Sequence, residues 1–517
     1  MSRDPAPPGD PGVPPDTGGA AYATVPPADA APMDPRELSR RAVGGFLWSA
    51  ASFGAGKLIV FAMTVLLARL LAPRDFGLVA AGLSVAAFLE IALDFGVGSA
   101  LIYEQERGVT ERVRVAFTLS LLVAAAMTGA GVAASPLVAA FFGAPDATPL
   151  FQVLFCYLLL RGVGLVQDAV LQRELRYRTR TVVDILRALV RGAVAVALAF
   201  GGHGAWAIVL GTVAGEAAAA TAYCCLVRIP PTWRLRGDVV RTLLRFGLPL
   251  LTLNIVNTAG TEGDRMIVGG RLNAAALGQY TIAQKLPEML ILNVYWVFQK
   301  IAYSIYARAR TGGPEMFRAA ALKALRLVTF FGFPMGAGLA VIAPAVVPLA
   351  FSPAWTPAVP AMVIISVTAG LSAIGFASGD IFPAVGRPAA LLRVTSALVL
   401  VELVVIWFVA RYGIEAIALV HLALMVTWGP LRLHVANRLV GTTWRQCGVA
   451  MRPGLVGAGG VVAVGLPVAL VTGATWPGLA ATVAAGVVGG GGAVLLTDRA
   501  AVLEVIALVR TRGEVAG

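Results

Sequence analysis

The chain has 517 residues, of which 58% are hydrophobic and only 13% charged, far from the quarter-charged composition of water-soluble domains. That balance excludes an ordinary soluble enzyme and reads as a polytopic membrane protein. The net charge of +13 would suggest nucleic acid in a soluble chain; here it is read by position along the sequence, and nucleic acid is not among the expected partners.

Residues 1–40 are rich in Pro, Gly, Ala and Asp and lack apolar periodicity, which predicts a disordered cytoplasmic tail with no cleavable signal. Runs of about 20 apolar residues then predict fourteen transmembrane helices: 43–69, 76–103, 113–142, 148–171, 181–201, 204–227, 243–270, 275–300, 319–343, 358–382, 389–410, 413–435, 449–472 and 474–497. Alternate loops are basic, with Arg173, Arg176, Arg178 and Arg180 in one and Arg228, Arg234, Arg236 and Arg241 in another. The intervening loops, such as 142–148 and 201–204, are almost free of cations. This alternation places both ends of the chain in the cytoplasm. The outer loops are too short to hold an extracellular domain, so function is expected within the membrane.

The first polar corner follows Arg69-Leu70, where Pro73-Arg74-Asp75 leads into the second span. Arg271-Leu272, small residues and then Leu277-Gly278-Gln279-Tyr280 repeat the pattern about 200 residues later. The repeat predicts two pseudo-symmetric six-helix lobes, 41–228 and 246–440. They are joined by a cytoplasmic linker at 229–245 and followed by two more helices in 441–498 and a cytoplasmic tail at 499–517. The fold class is therefore all-α.

Charges at membrane depth are the main candidates for function, because each costs about 2.5–3.5 kcal/mol at the centre of a lipid-facing helix. Candidate cations are Lys57, Arg161, Arg191, Arg265 and Lys285; candidate coupling or gating acids are Glu90, Asp94, Asp168, Asp184, Glu262 and Asp264. Glu90 with Asp94, and Asp184 with Arg187, are spaced for one helix face, and so is Arg161 with Asp168 at seven. Internal salt bridges would explain single pairs. The recurrence of cations in both halves points instead to a hydrated, anion-attracting interior.

Other chemistry is not legible. Gly54-Ala55-Gly56-Lys57 lacks the first glycine and the hydroxyl residue of a phosphate-binding loop. His203, His421 and His434 are scattered, and Cys156, Cys224, Cys225 and Cys447 lack metal-ligand spacing. Neither an enzymatic centre nor a cofactor is expected. Tyr280, Tyr295, Trp296, Phe298 and Tyr303 are open to two readings, stacking on sugar rings or anchoring at the membrane interface.

Asp75-Phe76-Gly77-Leu78, the stretch Asp94-Phe95-Gly96-Val97-Gly98-Ser99, Gly263-Asp264-Arg265-Met266 and Leu277-Gly278-Gln279-Tyr280 resemble the bacterial polysaccharide flippases. These are O-antigen and exopolysaccharide exporters of the multidrug/oligosaccharidyl-lipid/polysaccharide superfamily, and the resemblance covers about residues 40–440. It implies a monomer in the cytoplasmic membrane. Two lobes would alternate access to move an undecaprenyl-diphosphate-linked oligosaccharide across the bilayer, with cavity cations on the diphosphate. Polysaccharide polymerase and glycosyltransferases would be partners. A drug/cation or peptidoglycan-precursor exporter of the same superfamily, and a non-transport scaffold for polysaccharide synthesis, remain as alternatives.

Overall fold

A computed structural model describes residues 59–94, 109–174, 176–232, 237–295, 298–299, 306, 309, 312–379, 381–385 and 388–499. The N-terminal tail, Lys57 with its glycine-rich stretch, the Asp94 side chain, Trp296 and Tyr303 lie outside the described residues, as does most of the C-terminal tail.

The chain is all-α. In order it forms α1 (Ile59–Leu70), α2 (Pro73–Asp94), α3 (Val109–Phe141), α4 (Thr148–Arg173), α5 (Tyr177–Phe200), α6 (Ala205–Leu226) and α7 (Gly237–Arg271). There follow α8 (Ala274–Pro287), α9 (Pro314–Val346), α10 (Val359–Leu371, resumed after Ser372 as Ala373–Gly379), α11 (Pro388–Val409), α12 (Ile414–Val440), α13 (Trp444–Thr472) and α14 (Trp476–Thr497). Ten of these are long and apolar enough to cross a membrane, and the protein is an integral membrane protein. Helices α5, α7 and α8 fall outside that set, and the candidate charges of the sequence are concentrated in them.

The helices begin and end where local chemistry dictates. Asp75 in the first turn of α2 accepts from the backbone N–H of Ala72 at 3.1 Å and of Ala205 at 3.1 Å, so one carboxylate satisfies orphan donors at the starts of two helices. Asn273 caps α8 through the Ala276 N–H at 2.8 Å, and Thr443 with Gln446 forms a capping box on α13. Pro287 closes α8, and a π turn, Glu288–Leu292, continues it.

Packing within the first six helices recurs in the second six. Helix α3 packs on α4, α5 on α6, α4 on α6 and α2 on α4; correspondingly α9 packs on α10, α11 on α12, α10 on α12 and α8 on α10. The two sets meet where α2 lies against α7 and α8. At the crossing, a Cβ on Gly77 would collide with the carbonyl oxygen of Ala274, and one on Gly278 with the carbonyl oxygen of Pro73. The two corners of the sequence repeat therefore touch each other, each supplying a glycine where the other's backbone passes. Arg69 donates to the carbonyls of Leu349 and Ala350 at 2.6 and 2.7 Å, and Trp355 Nε1 donates to the carbonyl of Ala68 at 2.7 Å, which fastens the same end.

Helices α13 and α14 pack on each other and on α9. Glycines permit the close approach: Gly460 meets the backbone of Gly489, and Gly454 the backbone of Thr329.

Candidate functional site

Two groups of charged side chains stand at mid-helix depth, one on each side of α2. The first joins four helices. Glu90 of α2 accepts from the Tyr157 hydroxyl at 2.7 Å and pairs with Arg161 Nε of α4 at 3.3 Å. Arg161 also faces Glu216 of α6 at 3.9 Å, and Glu216 pairs with Arg187 of α5 at 3.4 Å. Arg187 in turn holds Asp184 at 3.2 Å. Acids and bases thus alternate along a line from α2 to α5, and Glu216 at its centre is only 11% exposed while Arg161 is 40% exposed. A buried acid bracketed by two guanidiniums is held in place; the more open guanidinium keeps donors to spare.

One helical turn beyond Arg187 lies Arg191, which is exposed and packs against Gly211 and Gly215 of α6. Among the described residues it makes no direct ion pair or side-chain hydrogen bond. Asp168 belongs to a separate knot, accepting from Arg180 at 2.7 Å and from Tyr223 at 3.0 Å.

The second group is more enclosed. Glu262 and Arg265 of α7 pair at 2.9 Å, and Glu262 also accepts from Ser84 of α2 at 2.9 Å, a hydrogen bond between the two sets of six helices. Arg265 donates to Gln284 at 2.9 Å, and Gln284 to Asp264 at 3.0 Å. Tyr280 donates to Asp264 at 2.7 Å and lies 2.8 Å from His421 Nε2, while His421 Nδ1 is 2.6 Å from Glu402. Lys285 and Glu288 stand apart as a pair at 3.5 Å. Ser84 and Glu90 are six residues apart on α2, about 9 Å along its axis, so this helix links the two groups.

The arrangement brings together most of the residues singled out in the sequence; Asp184 keeps Arg187 as its partner, while others find theirs on different helices. Arg161 and Asp168 do not pair: seven residues separate them by about 10 Å along the helix, and each instead finds an opposite charge on another helix. The aromatic residues Tyr280 and Tyr295 are fully buried, and Tyr295 donates to the carbonyls of Ala369 and Gly370 at 3.1 and 3.0 Å. Phe298 stacks on Phe331 with ring centroids 5.7 Å apart. Buried and engaged in this way, Tyr280 and Tyr295 are neither platforms for a sugar nor interface anchors. Glu216, Gln284 and His421 enter the site without having been singled out. Each stands on a helix where its own sequence neighbours give no hint of a partner.

Among the described residues, fourteen helices, ten of them long and apolar enough to span a membrane, surround two charged clusters, the architecture of an integral membrane transporter. A profile for a family described as polysaccharide biosynthesis protein matches residues 66–360, and the chain belongs to that family. It is similar to the teichuronic acid biosynthesis protein TuaB of Bacillus subtilis (24% identity over 414 residues, 78% of this chain and 82% of that protein). It is also similar to the succinoglycan biosynthesis transport protein ExoT of Rhizobium meliloti (25% over 330 residues, 63% and 65%). Among solved structures the lipid II flippase MurJ, in an inward closed conformation, shares the fold with a TM-score of 0.72 at 12% identity, covering 88% of this chain and 99% of MurJ.

Proposed function

We infer that the protein turns an undecaprenyl-diphosphate-linked oligosaccharide from the inner to the outer leaflet of the cytoplasmic membrane. Residues 41–228 and 246–440 act as two lobes that alternate access, and both termini are cytoplasmic. Arg161, Arg191, Arg265 and Lys285, together with Lys57, are assigned to the anionic part of the substrate. Glu90, Asp94, Asp168, Asp184, Glu262 and Asp264 are assigned to coupling and gating.

The observation that carries this reading is Arg191: an arginine in the middle of α5, packed among the membrane-spanning helices, exposed, and without a direct ionic partner among the described residues. Such a residue costs about 2.5–3.5 kcal/mol unless an aqueous or anionic environment receives it. A diphosphate with several negative oxygens would accept forked hydrogen bonds from Arg191 and from the spare donors of Arg161 together. Among the described residues the contacts between the lobes gather at the corner end, and the inner ends are the side from which a substrate made in the cytoplasm would enter. Membership of a polysaccharide biosynthesis family agrees with such a cargo.

The test is Arg191→Ala, assayed for surface polysaccharide in cells and for thermal melting in detergent. The expected result is lost export with an unchanged melting temperature, and partial export in Arg191→Lys. Full export by Arg191→Ala would remove the substrate role.

A further inference from the structure

The enclosed cluster holds more than ion pairs, as a count of hydrogens makes plain. Asp264 is 5% exposed, and both of its oxygens are engaged: Oδ1 by the Arg265 backbone N–H at 2.6 Å, Oδ2 by Tyr280 and Gln284. Three short contacts run in series, Asp264 to Tyr280 at 2.7 Å, Tyr280 to His421 at 2.8 Å and His421 to Glu402 at 2.6 Å. Each needs one hydrogen between two electronegative atoms. Tyr280 supplies one. A neutral imidazole between two ionised carboxylates supplies one more, and the third contact is left with facing lone pairs. The series closes only with a further proton, carried by His421 as imidazolium or by Asp264 or Glu402 as the acid.

We propose that Asp264, Tyr280, His421 and Glu402 form a binding site for one exchangeable proton, and that its occupancy governs whether the two lobes stay closed at the corner end. The proposal rests on the transport reading above and names the ion that accompanies it. The proton is taken from water and returned to water; O–H or N–H bonds alone are made and broken. A metal cation is a poor fit, because the Asp264 oxygens already accept from protein donors and the Arg265 guanidinium lies beside them. Among the described residues no three His, Cys, Asp or Glu groups converge on a common point.

The route from the site to the lobe interface is continuous. Gln284 donates to Asp264 and accepts from Arg265, Arg265 pairs with Glu262, and Glu262 accepts from Ser84 of α2. When the proton leaves, one of the three contacts in series becomes repulsive, and α7, α8, α11 and α12 can no longer all hold their places. The remaining charges around the site are few. Helix α7 contributes Glu262 and Arg265, and its Arg271 is stacked over Trp407 at 4.5 Å. Lys285 and Glu288 on α8 are paired with each other, Glu415 on α12 lies in the first turn, Glu90 of α2 is held by Arg161, and the two described segments of α10 carry no charge.

The experiment places spin labels at His203 and Ala354, on the corner end of opposite lobes, in a background with the four native cysteines replaced by serine. The full chain is studied in lipid nanodiscs without glycan, from about pH 6 to about pH 10. The expected result is a label distance that lengthens as pH rises, a response lost in His421→Gln and in Glu402→Gln, and no change when sodium is exchanged for choline at fixed pH. If His421→Gln does not fold, Tyr280→Phe, which removes the bridging hydroxyl, carries the same expectation. An unresponsive parent chain, an unaltered pH response in the variants, or a distance moved by sodium alone would each overturn the proton site. Because glycan is absent, such a failure leaves the oligosaccharide reading intact, which stands or falls on export by Arg191→Ala.

Discussion

Replacing Gly77 by alanine tests how the two lobes close. The new methyl group would occupy the position of the Ala274 carbonyl oxygen, which is backbone and cannot swing aside, so α2 and α8 must separate to admit it. Overpacking of this kind costs about 1–3 kcal/mol, and the cost falls on the closed arrangement alone because parted helices relieve it. A difference of one or two kcal/mol changes a two-state ratio by about 5–30-fold. Ser84, two turns further along the same face of α2 and only 1% exposed, reports the opening. Ser84→Cys is nearly isosteric, and in the Gly77→Ala background it should react with a membrane-impermeant maleimide several-fold faster from outside than in the parent. Gly278→Ala should do the same, since it meets the Pro73 carbonyl in the equivalent way. Gly129, with no atom within 4 Å of an added Cβ, is the control that should not respond. Unchanged labelling in a folded Gly77→Ala protein would refute the view that this crossing is the closure.

Arg161→Ala should lower the melting temperature, because it leaves Glu90 without its cation while Glu216 keeps Arg187; Glu90→Gln in the same chain should restore part of the loss, as followed by detergent melting. For topology, cysteine at Ala354 should react from outside intact cells and cysteine at Arg178 only after permeabilisation; external labelling at Arg178 would invert the assignment.

How much of this was readable in the sequence depends on distance along the chain. The spans follow from apolar run length, and pairs at a spacing of three, such as Asp184 with Arg187 and Glu262 with Arg265, are built into the helix repeat. The corner repeat was legible, and so was the presence of charges within the helices. Partners across helices were not. Glu216 sits in an alanine-rich stretch with no nearby cation, so its bracketing by Arg161 and Arg187 is visible only when α4, α5 and α6 are assembled. His421 looked isolated for the same reason: Tyr280, Asp264 and Glu402 come from three other helices. The lone positions of polar residues in apolar helices were the available signal. A glutamate and a histidine each set among aliphatic neighbours require a partner from elsewhere.

The docking of α13 and α14 onto α9 also bears on biogenesis. Helix α9 is synthesised about a hundred residues before the pair that covers it, and Arg326 near its start finds Asp498, past the end of α14, at 3.0 Å. Until α13 and α14 leave the ribosome, the strip of α9 around Thr329 and Pro334 lacks the cover that Gly454 and Gly457 of α13 give it. The final hairpin to be translated therefore acts as a latch on a segment inserted much earlier. Chains truncated before residue 498 would reach the bilayer with every earlier span in place and that latch undone.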